Sequence, residues 1–188
     1  MNIGDNMNIV LIILSIIITI LAIITCLYFH MYNKFTESII RIDEAEIRID
    51  NNIRDKYDAL CKIIGLAKNI IKMDDDKFAD INKLKARRMS NFDTDRILTK
   101  WYNEFEVLYN DNIKLREDDE IYKTKKQIES IDEELEALRT YYNTNILNYN
   151  KMVKSFPTLI IALIKKYKER PGYDLKDMHD NDLEDFKL

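Results

Sequence analysis

The chain has 188 residues, of which only three are glycine and two are proline. Because a sheet protein needs turn residues at short intervals along its chain, this composition excludes an all-β fold and predicts an all-α fold. The net charge of −4 excludes the strongly basic surface that nucleic-acid binding requires, so we expect no nucleic-acid partner.

The first predicted element is a membrane-spanning helix. The chain is apolar from Ile9 to Phe29, apart from three hydroxyl side chains. At about 1.5 Å per residue, a helix of this length spans about 30 Å, which is the thickness of the hydrocarbon core of a bilayer. Before this run the one charged side chain is Asp5, so the basic region that opens a signal peptide is missing. We predict that residues 1–8 form a short tail and that residues 9–29 are retained as an anchor in the lipid bilayer.

Basic residues near the apolar run predict the orientation of the chain in a membrane. No Lys or Arg precedes the run, whereas Lys34, Arg41 and Arg48 follow it. Lys and Arg close to the ends of a span favour the cytoplasmic side of a membrane. We therefore expect the N-terminus outside the cell membrane and the C-terminal domain in the cytoplasm.

The residues after the anchor predict a helical bundle over residues 30–170. Apolar side chains recur there at steps of three and four residues, which is the period of a helix with one buried face. The first stripe consists of Phe35, Ile39, Ile42, Ile49, Ile53, Leu60, Ile64, Ala67 and Ile71. It stops at Met73–Asp76, a charged turn whose aspartates can cap the next helix. A weaker pattern follows at Phe78, Ile81, Leu84 and Arg88 and is expected to be interrupted at residues 90–94, where Asp93 is a candidate cap. The stripe then resumes with Leu98, Trp101, Phe105, Leu108 and Leu115.

The most regular predicted helix runs from about Asp119 to Phe156. Its apolar positions recur every seven residues, as they do in the seam of a coiled coil. One row is Ile121, Ile128, Leu135, Tyr142, Tyr149 and Phe156, and a companion row is Thr124, Ile131, Leu138, Asn145 and Met152. Because a proline disfavours helical geometry in the residue before it, Pro157 is expected to end this helix.

The order of these elements predicts an antiparallel bundle of three to four helices. The chain is expected to lead away from the membrane, to return, and to lead away again, with one buried stripe on each helix. On this path the corner at Phe156 and Pro157 lies at the end of the bundle farthest from the membrane.

A short apolar helix, Leu159–Tyr167, is predicted after this corner, and an acidic tail follows over residues 171–188. The end of the short helix is basic, with Lys165, Lys166, Lys168 and Arg170. A basic amphipathic segment can contact anionic lipid or a protein. Because the predicted path places it far from the bilayer, we expect it to pack on the bundle or, alternatively, to form a surface for a protein partner.

Three groups of residues carry a family resemblance. They are Ile42-Asp43-Glu44-Ala45 with Ile49-Asp50, Arg54 and Tyr57-Asp58; Leu135, Arg139, Tyr142-Asn143, Ile146 and Tyr149-Asn150; and Phe156-Pro157 with Ile160 to Ala162. These groups resemble the opening signature, the arginine with repeated Tyr-Asn pairs, and the Phe-Pro corner of the LemA family. The resemblance extends from the anchor to about Gly172. It implies a bacterial, membrane-anchored, antiparallel helical bundle, and it brings no catalytic residue with it.

Side chains that carry enzyme chemistry are scarce. The two histidines, His30 at the membrane edge and His179 in the tail, have no further ligands nearby for zinc and no plausible cleft for nucleophilic catalysis. No Gly-rich loop is present to hold a phosphate. Asp74–Asp76 could bind a divalent cation, but without a glycine-turned loop we interpret it as a solvated turn. We predict no catalytic, cofactor-binding or metal-binding residue and no enzymatic activity.

Two pairs of Tyr-Asn dipeptides are each spaced by one heptad. They are Tyr142-Asn143 with Tyr149-Asn150, and Tyr102-Asn103 with Tyr109-Asn110. One interpretation is structural, with rings filling the seam and polar groups bonding across helices; the other is a polar strip that binds a small ligand. We favour the structural interpretation. Arg139, one turn before Tyr142, is similarly expected to form an ion pair, with an anion contact as the alternative.

The anchor, the helical seam and the scarcity of catalytic groups predict a function together. Our leading hypothesis is a non-catalytic scaffold or adaptor that presents helical surfaces to protein partners at the membrane. The alternative hypothesis is a sensor that binds a small ligand or signal in the seam lined by Tyr and Asn. A homo-oligomer is a further option for the assembly.

Overall fold

Residues 3–72, 78 and 90–173 are described by the structure, which is a computed structural model. These residues form five α-helices and no strand. The helices are α1 (Ile3–Ile71), α2 (Asn91–Asp111), α3 (Ile113–Arg116), α4 (Asp119–Lys154) and α5 (Thr158–Lys165). The predicted all-α fold is confirmed.

Helix α1 continues without a break for 69 residues. Its apolar run is exposed, and α1 is long and apolar enough to cross a membrane. The hydroxyl groups of Ser15, Thr19 and Thr25 each donate to a backbone carbonyl three or four residues earlier, at 2.8–2.9 Å. The polar side chains of the run are therefore satisfied within their own helix, as a hydrocarbon environment requires.

The chain divides into two compact units. Unit 1 comprises residues 1–40 and 147–170, and unit 2 comprises residues 41–146 and 171–188. Helices α1 and α4 therefore contribute to both units, α5 belongs to unit 1, and α2 and α3 belong to unit 2.

In unit 2, α4 runs antiparallel to α1. Arg48 forms an ion pair with Glu134 at 2.8 Å, and Lys62, further along α1, pairs with Glu120 at 3.1 Å, which is earlier on α4. Residue numbers thus rise on one helix as they fall on the other, as an antiparallel pair requires.

Helix α4 is antiparallel to α2 as well. Asp95, near the start of α2, pairs with Arg139, and Glu106, near its end, lies 2.8 Å from Lys125. Because α1 and α2 both oppose α4 within unit 2, they run parallel to each other. The first turn of α2 is capped by the Ser90 hydroxyl, which accepts a hydrogen bond from the Asp93 backbone N–H at 3.1 Å. The predicted cap at Asp93 is therefore wrong by three residues.

The predicted sevenfold row of α4 is buried as far as Tyr149. Ile121, Ile128, Leu135, Tyr142 and Tyr149 are all buried, and so are Thr124, Leu138 and Asn145 of the companion row. Phe156 is the exception, because its side chain is 81 % exposed and α4 ends at Lys154. The Phe156–Pro157 peptide bond is cis, and the two residues form the corner that leads into α5.

In unit 1, the end of α4 lies beside the part of α1 that directly follows the apolar run. The ring centroid of Phe35 is 5.9 Å from that of Tyr149 and 5.1 Å from that of Tyr167. The prediction that the corner at Pro157 lies far from the apolar run is therefore wrong. Because α2 runs parallel to α1, it is α4 that returns along α1, and it brings the corner back into unit 1.

Candidate functional site

A buried lysine joins the three long helices of unit 2. Lys56 lies on the buried stripe of α1, and its side chain is 1 % exposed. Its ammonium nitrogen is 2.6 Å from Asp132 Oδ1 on α4, 3.1 Å from Asp95 Oδ1 on α2 and 2.8 Å from the Thr99 hydroxyl. An ammonium group has three protons to donate, and all three of these acceptors lie within hydrogen-bond distance of it.

Arg139 completes this group, which we name the Lys56 cluster (Lys56, Asp95, Asp132 and Arg139). Its guanidinium pairs with Asp95 Oδ2, so the two oxygens of Asp95 bind two different cations. Burial alone would lower the pKa of Arg139, but the charge of Asp95 and the contacts with Tyr173 together outweigh burial, and the pKa is raised above its usual value. With two cations and two carboxylates, the cluster has a formal net charge of zero.

This balance of charges restricts what the cluster can do chemically. A buried charge is costly unless it is paired and hydrogen-bonded, and each charge of the cluster has an opposite charge in contact. A general acid or base must instead reach a proton on a substrate. The geometry is therefore that of an internal ion-pair network, and Arg139 forms the ion pair that was expected from the sequence.

The second Tyr-Asn pair holds the chain after α5 in unit 1. The side-chain amide of Asn150 donates to the Arg170 carbonyl at 2.8 Å, and its oxygen accepts from the Arg170 N–H at 2.9 Å. The Arg170 guanidinium carbon lies 5.5 Å from the centre of the Tyr149 ring. Burial raises the pKa of Tyr149, which is 2 % exposed. Both polar atoms of the Asn150 amide are thus engaged with the protein's own backbone.

The first Tyr-Asn pair makes a similar contact in unit 2. The side-chain oxygen of Asn143 accepts a hydrogen bond from the Tyr173 N–H at 2.7 Å, and the Tyr142 ring lies 6.2 Å from the Tyr173 ring, centroid to centroid. A Cβ at position 172 would lie 3.1 Å from the Asn143 oxygen, so Gly172 permits this close approach. Tyr173 falls within the predicted tail of residues 171–188, but it is buried in unit 2.

The other two Tyr-Asn pairs are arranged differently. Tyr102 is buried and Tyr109 is half-buried, whereas Asn103 and Asn110 are exposed on α2. The repeat on α2 therefore contributes rings to the bundle but leaves its amides at the surface.

A second polar group links α2 and α4 in unit 2. Lys125 bonds to Glu106 at 2.8 Å and also to Glu129. Burial alone would lower the pKa of Lys125, but hydrogen bonds to Glu106 and Glu129 outweigh it and raise the pKa. Hydrogen bonds from Lys125 and Lys126 lower the pKa of Glu129 to about 2, and burial raises the pKa of Tyr102 to about 12. This group was not predicted from the sequence, although the four-residue spacing of Lys125 and Glu129 was a signal for it.

Comparison with known proteins identifies the family. The model of the LemA family matches residues 45–184. The chain belongs to the LemA family. The predicted resemblance is therefore confirmed, and the matched region contains the Lys56 cluster and both Tyr-Asn pairs of α4. No match was found among the curated proteins or among the solved structures.

The LemA bundle has a surface groove between α1 and α4 in unit 2. Its volume is about 360 Å³, and it is lined by Glu44, Ala45, Arg48, Glu134, Ala137, Leu138 and Tyr141. The ion pair between Arg48 and Glu134 lies in this lining, so the two charges offset each other. Tyr141 contributes an aromatic side chain that is 45 % exposed.

The four predicted partner-surface residues of this LemA chain lie in unit 1. Lys165, Lys166 and Lys168 are exposed, and Arg170 is half-buried. The ammonium of Lys165 lies 5.1 Å from the centre of the Tyr32 ring. The segment thus packs partly on its own unit and leaves three lysines in contact with solvent. The first feature was expected if the segment packs on the bundle, and the second leaves a surface for a partner available.

The remaining candidate residues for metal binding and catalysis are the two histidines and Asp74–Asp76. His30 is exposed at the end of the apolar run. His179 and Asp74–Asp76 lie outside the described residues. Within residues 3–72, 78 and 90–173, no three His, Cys, Asp or Glu side chains converge as metal ligands would.

Proposed function

We propose that this LemA-family protein is a non-catalytic scaffold, held at the cell membrane by residues 9–29, that presents the surfaces of its bundle to protein partners. The continuity of α1 carries this proposal. The same uninterrupted helix contains the apolar run and contributes the buried stripe to both units. A protein bound to α1 would therefore be connected to the anchor through a continuous helix and not through a flexible linker.

The pairing of the buried charges supports a non-catalytic role. The Lys56 cluster and the group around Lys125 use their charges on each other. In an active site, the surroundings of ionisable groups typically shift their pKa values so that the groups can transfer protons. Internal pairing of this kind instead favours a stable framework.

The contacts of the Tyr-Asn pairs favour the scaffold over the sensor. The amide of Asn150 binds the Arg170 backbone, and the amide oxygen of Asn143 binds the Tyr173 N–H. A metabolite would have to displace these contacts to use the strip. Melting curves across a metabolite panel separate the two functions, since a ligand of the folded state raises the melting temperature. A saturable rise that Tyr149→Phe removes would favour the sensor.

We propose that the C-terminal domain faces the cytoplasm, on the basis of Lys34, Arg41 and Arg48 after the apolar run. The test uses the full chain with Cys26→Ala, Cys61→Ala and a new cysteine at the exposed Lys123. A membrane-impermeant thiol reagent should label Lys123→Cys after permeabilisation only. Efficient labelling in intact cells would reverse the orientation.

The groove between α1 and α4 is the surface that we propose for a protein partner. In its lining Arg48 pairs with Glu134 and Tyr141 exposes an aromatic ring, and tyrosine is enriched at the centres of interfaces. A groove of this size suits an apolar side chain from a helix of the partner.

Alanine variants of two exposed tyrosines on α4 test this proposal. Tyr141 lines the groove, whereas Tyr122, 52 % exposed, does not and serves as the matched control. Tagged full-length chains are isolated from native membranes, and co-purifying proteins are quantified. We expect a protein that accompanies wild type and Tyr122→Ala but is lost with Tyr141→Ala, while all three chains melt alike. Equal recovery with Tyr141→Ala would exclude the groove.

A further inference from the structure

The short helix α5 has an exposed apolar face. Ile161 and Ala162 are buried in unit 1, but Ile160, Leu163 and Ile164 are 47–70 % exposed. These three residues are spaced by three and four positions, so they share one side of the helix. Phe156, just before α5, is 81 % exposed. Contiguous apolar surface of this kind usually marks contact with a protein or a membrane.

The position of α5 in unit 1 indicates which of these contacts applies. The Lys165 ammonium lies over the Tyr32 ring at 5.1 Å, and the Tyr32 ring is parallel to the Tyr28 ring, with 6.4 Å between centroids. Tyr28 and its neighbour Phe29 close the apolar run of α1. Aromatic side chains concentrate at the headgroup level of a bilayer. The C-terminal end of α5 therefore packs at the level of α1 where the apolar run ends.

The charge of this part of the chain is also suited to a membrane surface. Residues 30–40 and 147–170 contain seven Lys or Arg side chains and two carboxylates, Glu37 and Glu169, although the whole chain has a net charge of −4. Glu169 pairs with Lys154 at 2.8 Å. Lys165, Lys166 and Lys168 are exposed next to the apolar face of α5. Exposed lysines beside apolar side chains are the composition of an interfacial helix.

We propose that residues 156–168 are an interfacial element that rests on the bilayer in which α1 is anchored. The side chains of Leu163, Ile164 and Phe156 enter the boundary between headgroups and acyl chains. Those of Lys165 and Lys166 contact the phosphates of anionic lipids. This inference rests on the proposed function only in placing the bilayer around residues 9–29.

A bilayer explains these observations better than a protein partner would. The exposed apolar face of α5 and the exposed apolar run of α1 belong to the same compact unit, and Lys165 contacts Tyr32 directly. Tyr32 follows Phe29 by less than one helical turn, since each residue adds about 1.5 Å of rise. A membrane that the run spans up to Phe29 therefore has its headgroups close to Tyr32 and Lys165. A second contact surface near the membrane also limits how far α1 can tilt.

A fluorescent probe at Leu163 tests the proposal in the full chain. An environment-sensitive fluorophore is attached to Leu163→Cys in the Cys26→Ala, Cys61→Ala background, and the chain is reconstituted in nanodiscs of phosphatidylcholine and phosphatidylglycerol. Val107→Cys on α2 in unit 2, where Val107 is 61 % exposed, is the matched control. We expect blue-shifted emission at Leu163 and several-fold stronger quenching by a lipid-borne nitroxide than at Val107. Equal emission and quenching at the two sites would overturn the proposal.

Charge variants test the lipid headgroup separately. In the wild-type background, we expect the probe at Leu163 to be quenched more strongly in nanodiscs that contain phosphatidylglycerol than in nanodiscs of phosphatidylcholine alone. The variant Lys165→Gln/Lys166→Gln/Lys168→Gln should lose this difference. The control Lys100→Gln/Lys114→Gln/Lys123→Gln, which alters exposed lysines of unit 2, should keep it. A full lipid dependence in the first variant would contradict a role for these lysines. A blue shift that appears in native membranes but not in lipid nanodiscs would assign α5 to a protein instead.

Failure of this inference can be told apart from failure of the proposed function. Resistance to alkaline extraction reports whether α1 is integrated in the same membranes. An integrated chain with an unquenched Leu163 probe overturns the contact by α5 alone. If alkali extracts the chain from the membrane, both the anchor and the lipid contact are overturned. If no partner depends on Tyr141, the proposed groove fails but the lipid contact is unaffected.

Discussion

The ammonium nitrogen of Lys56 lies 2.6 Å from a carboxylate oxygen of Asp132, in a lysine side chain that is 1 % exposed. The ammonium is buried, whereas the Asp132 side chain is 35 % exposed, so water would offset part of the charge that Asp132 keeps if the pair were broken. Lys56 is on α1 and Asp132 is on α4. An apolar seam that repeats every seven residues fits more than one alignment of two helices, so we expect the ion pair to favour the alignment in which Lys56 meets Asp132.

We predict that Lys56→Met destabilises the protein by about 1–3 kcal/mol, because the Asp95 carboxylate, which is 10 % exposed, loses one of its two hydrogen-bonded cations. The change in the free energy of unfolding is measured by denaturation with urea. The control is Arg54→Met, which breaks an exposed pair with Asp50 and should cost less than about 1 kcal/mol. Comparable losses from the two variants would show that the Lys56 cluster is not a buried network.

Tyr149 is predicted to act through its ring. The side chain is 2 % exposed and its ring contacts Phe35 and Tyr167. Tyr149→Ala should cost about 3–5 kcal/mol through lost burial and the cavity left behind, whereas Tyr149→Phe keeps the ring and should cost far less. Chemical denaturation of both variants checks this. An alanine variant within about 0.5 kcal/mol of wild type, as at a surface position, would contradict the placement of the seam.

The Lys56 cluster shows the limit of reading the bundle from its sequence. The buried row of α4 was predictable, because a seven-residue repeat of apolar side chains has one interpretation in a long helix. Lys56 and Asp95 lie on the same stripes as Leu60 and Leu98, so charged residues at buried positions were a signal of the cluster. Their pairing was not predictable, since the partners are distant in the chain and depend on the alignment of three helices.

The direction of α4 could not be predicted from the sequence for a related reason. Apolar periodicity indicates which face of a helix is buried, but it is the same for parallel and antiparallel neighbours. The assumption that each helix reverses the last placed the corner at Pro157 far from the anchor. The contacts of Phe35 with Tyr149 and Tyr167 in unit 1 correct this, and the lipid contact proposed for α5 follows from the correction.

Glu129 is predicted to make stability depend on pH in the acid range. Hydrogen bonds from Lys125 and Lys126 lower its pKa from 4.5 to about 2 in the folded protein. Its contribution is therefore complete above the unfolded pKa and is lost as the pH falls through the folded value. The melting temperature of wild type should exceed that of Glu129→Gln at neutral pH, and the gap should close toward about pH 2.

The exposed neighbour Glu133 provides the matched control for this experiment. Glu133→Gln should show a smaller gap to wild type at neutral pH and little change in that gap on acidification. If the gap between wild type and Glu129→Gln were constant over the whole range, the ion pairs with Lys125 and Lys126 would not persist in solution.

Asn150 is predicted to hold the chain after α5 in place. It exchanges two hydrogen bonds with the Arg170 backbone, and each such bond contributes about 1 kcal/mol net. Asn150→Ala should therefore speed hydrogen exchange of the Arg170 amide while the amides in the middle of α4 remain protected. Asn148→Ala, at an exposed position of α4, should not. Unchanged exchange at Arg170 in Asn150→Ala would mean that other contacts hold this segment.

Photo-crosslinking in native membranes tests the scaffold claim most directly. Benzoylphenylalanine replaces Tyr141 in the groove or Tyr122 as the control, because both are exposed aromatic residues on α4. The scaffold account predicts a discrete protein adduct at position 141 that is absent at position 122. The same probe is then placed at Ile47, Val107 and Ile113, the other large apolar residues exposed among the described residues of unit 2. If none of these positions gives a protein adduct, the exposed apolar residues of unit 2 bind no partner and the scaffold claim is contradicted.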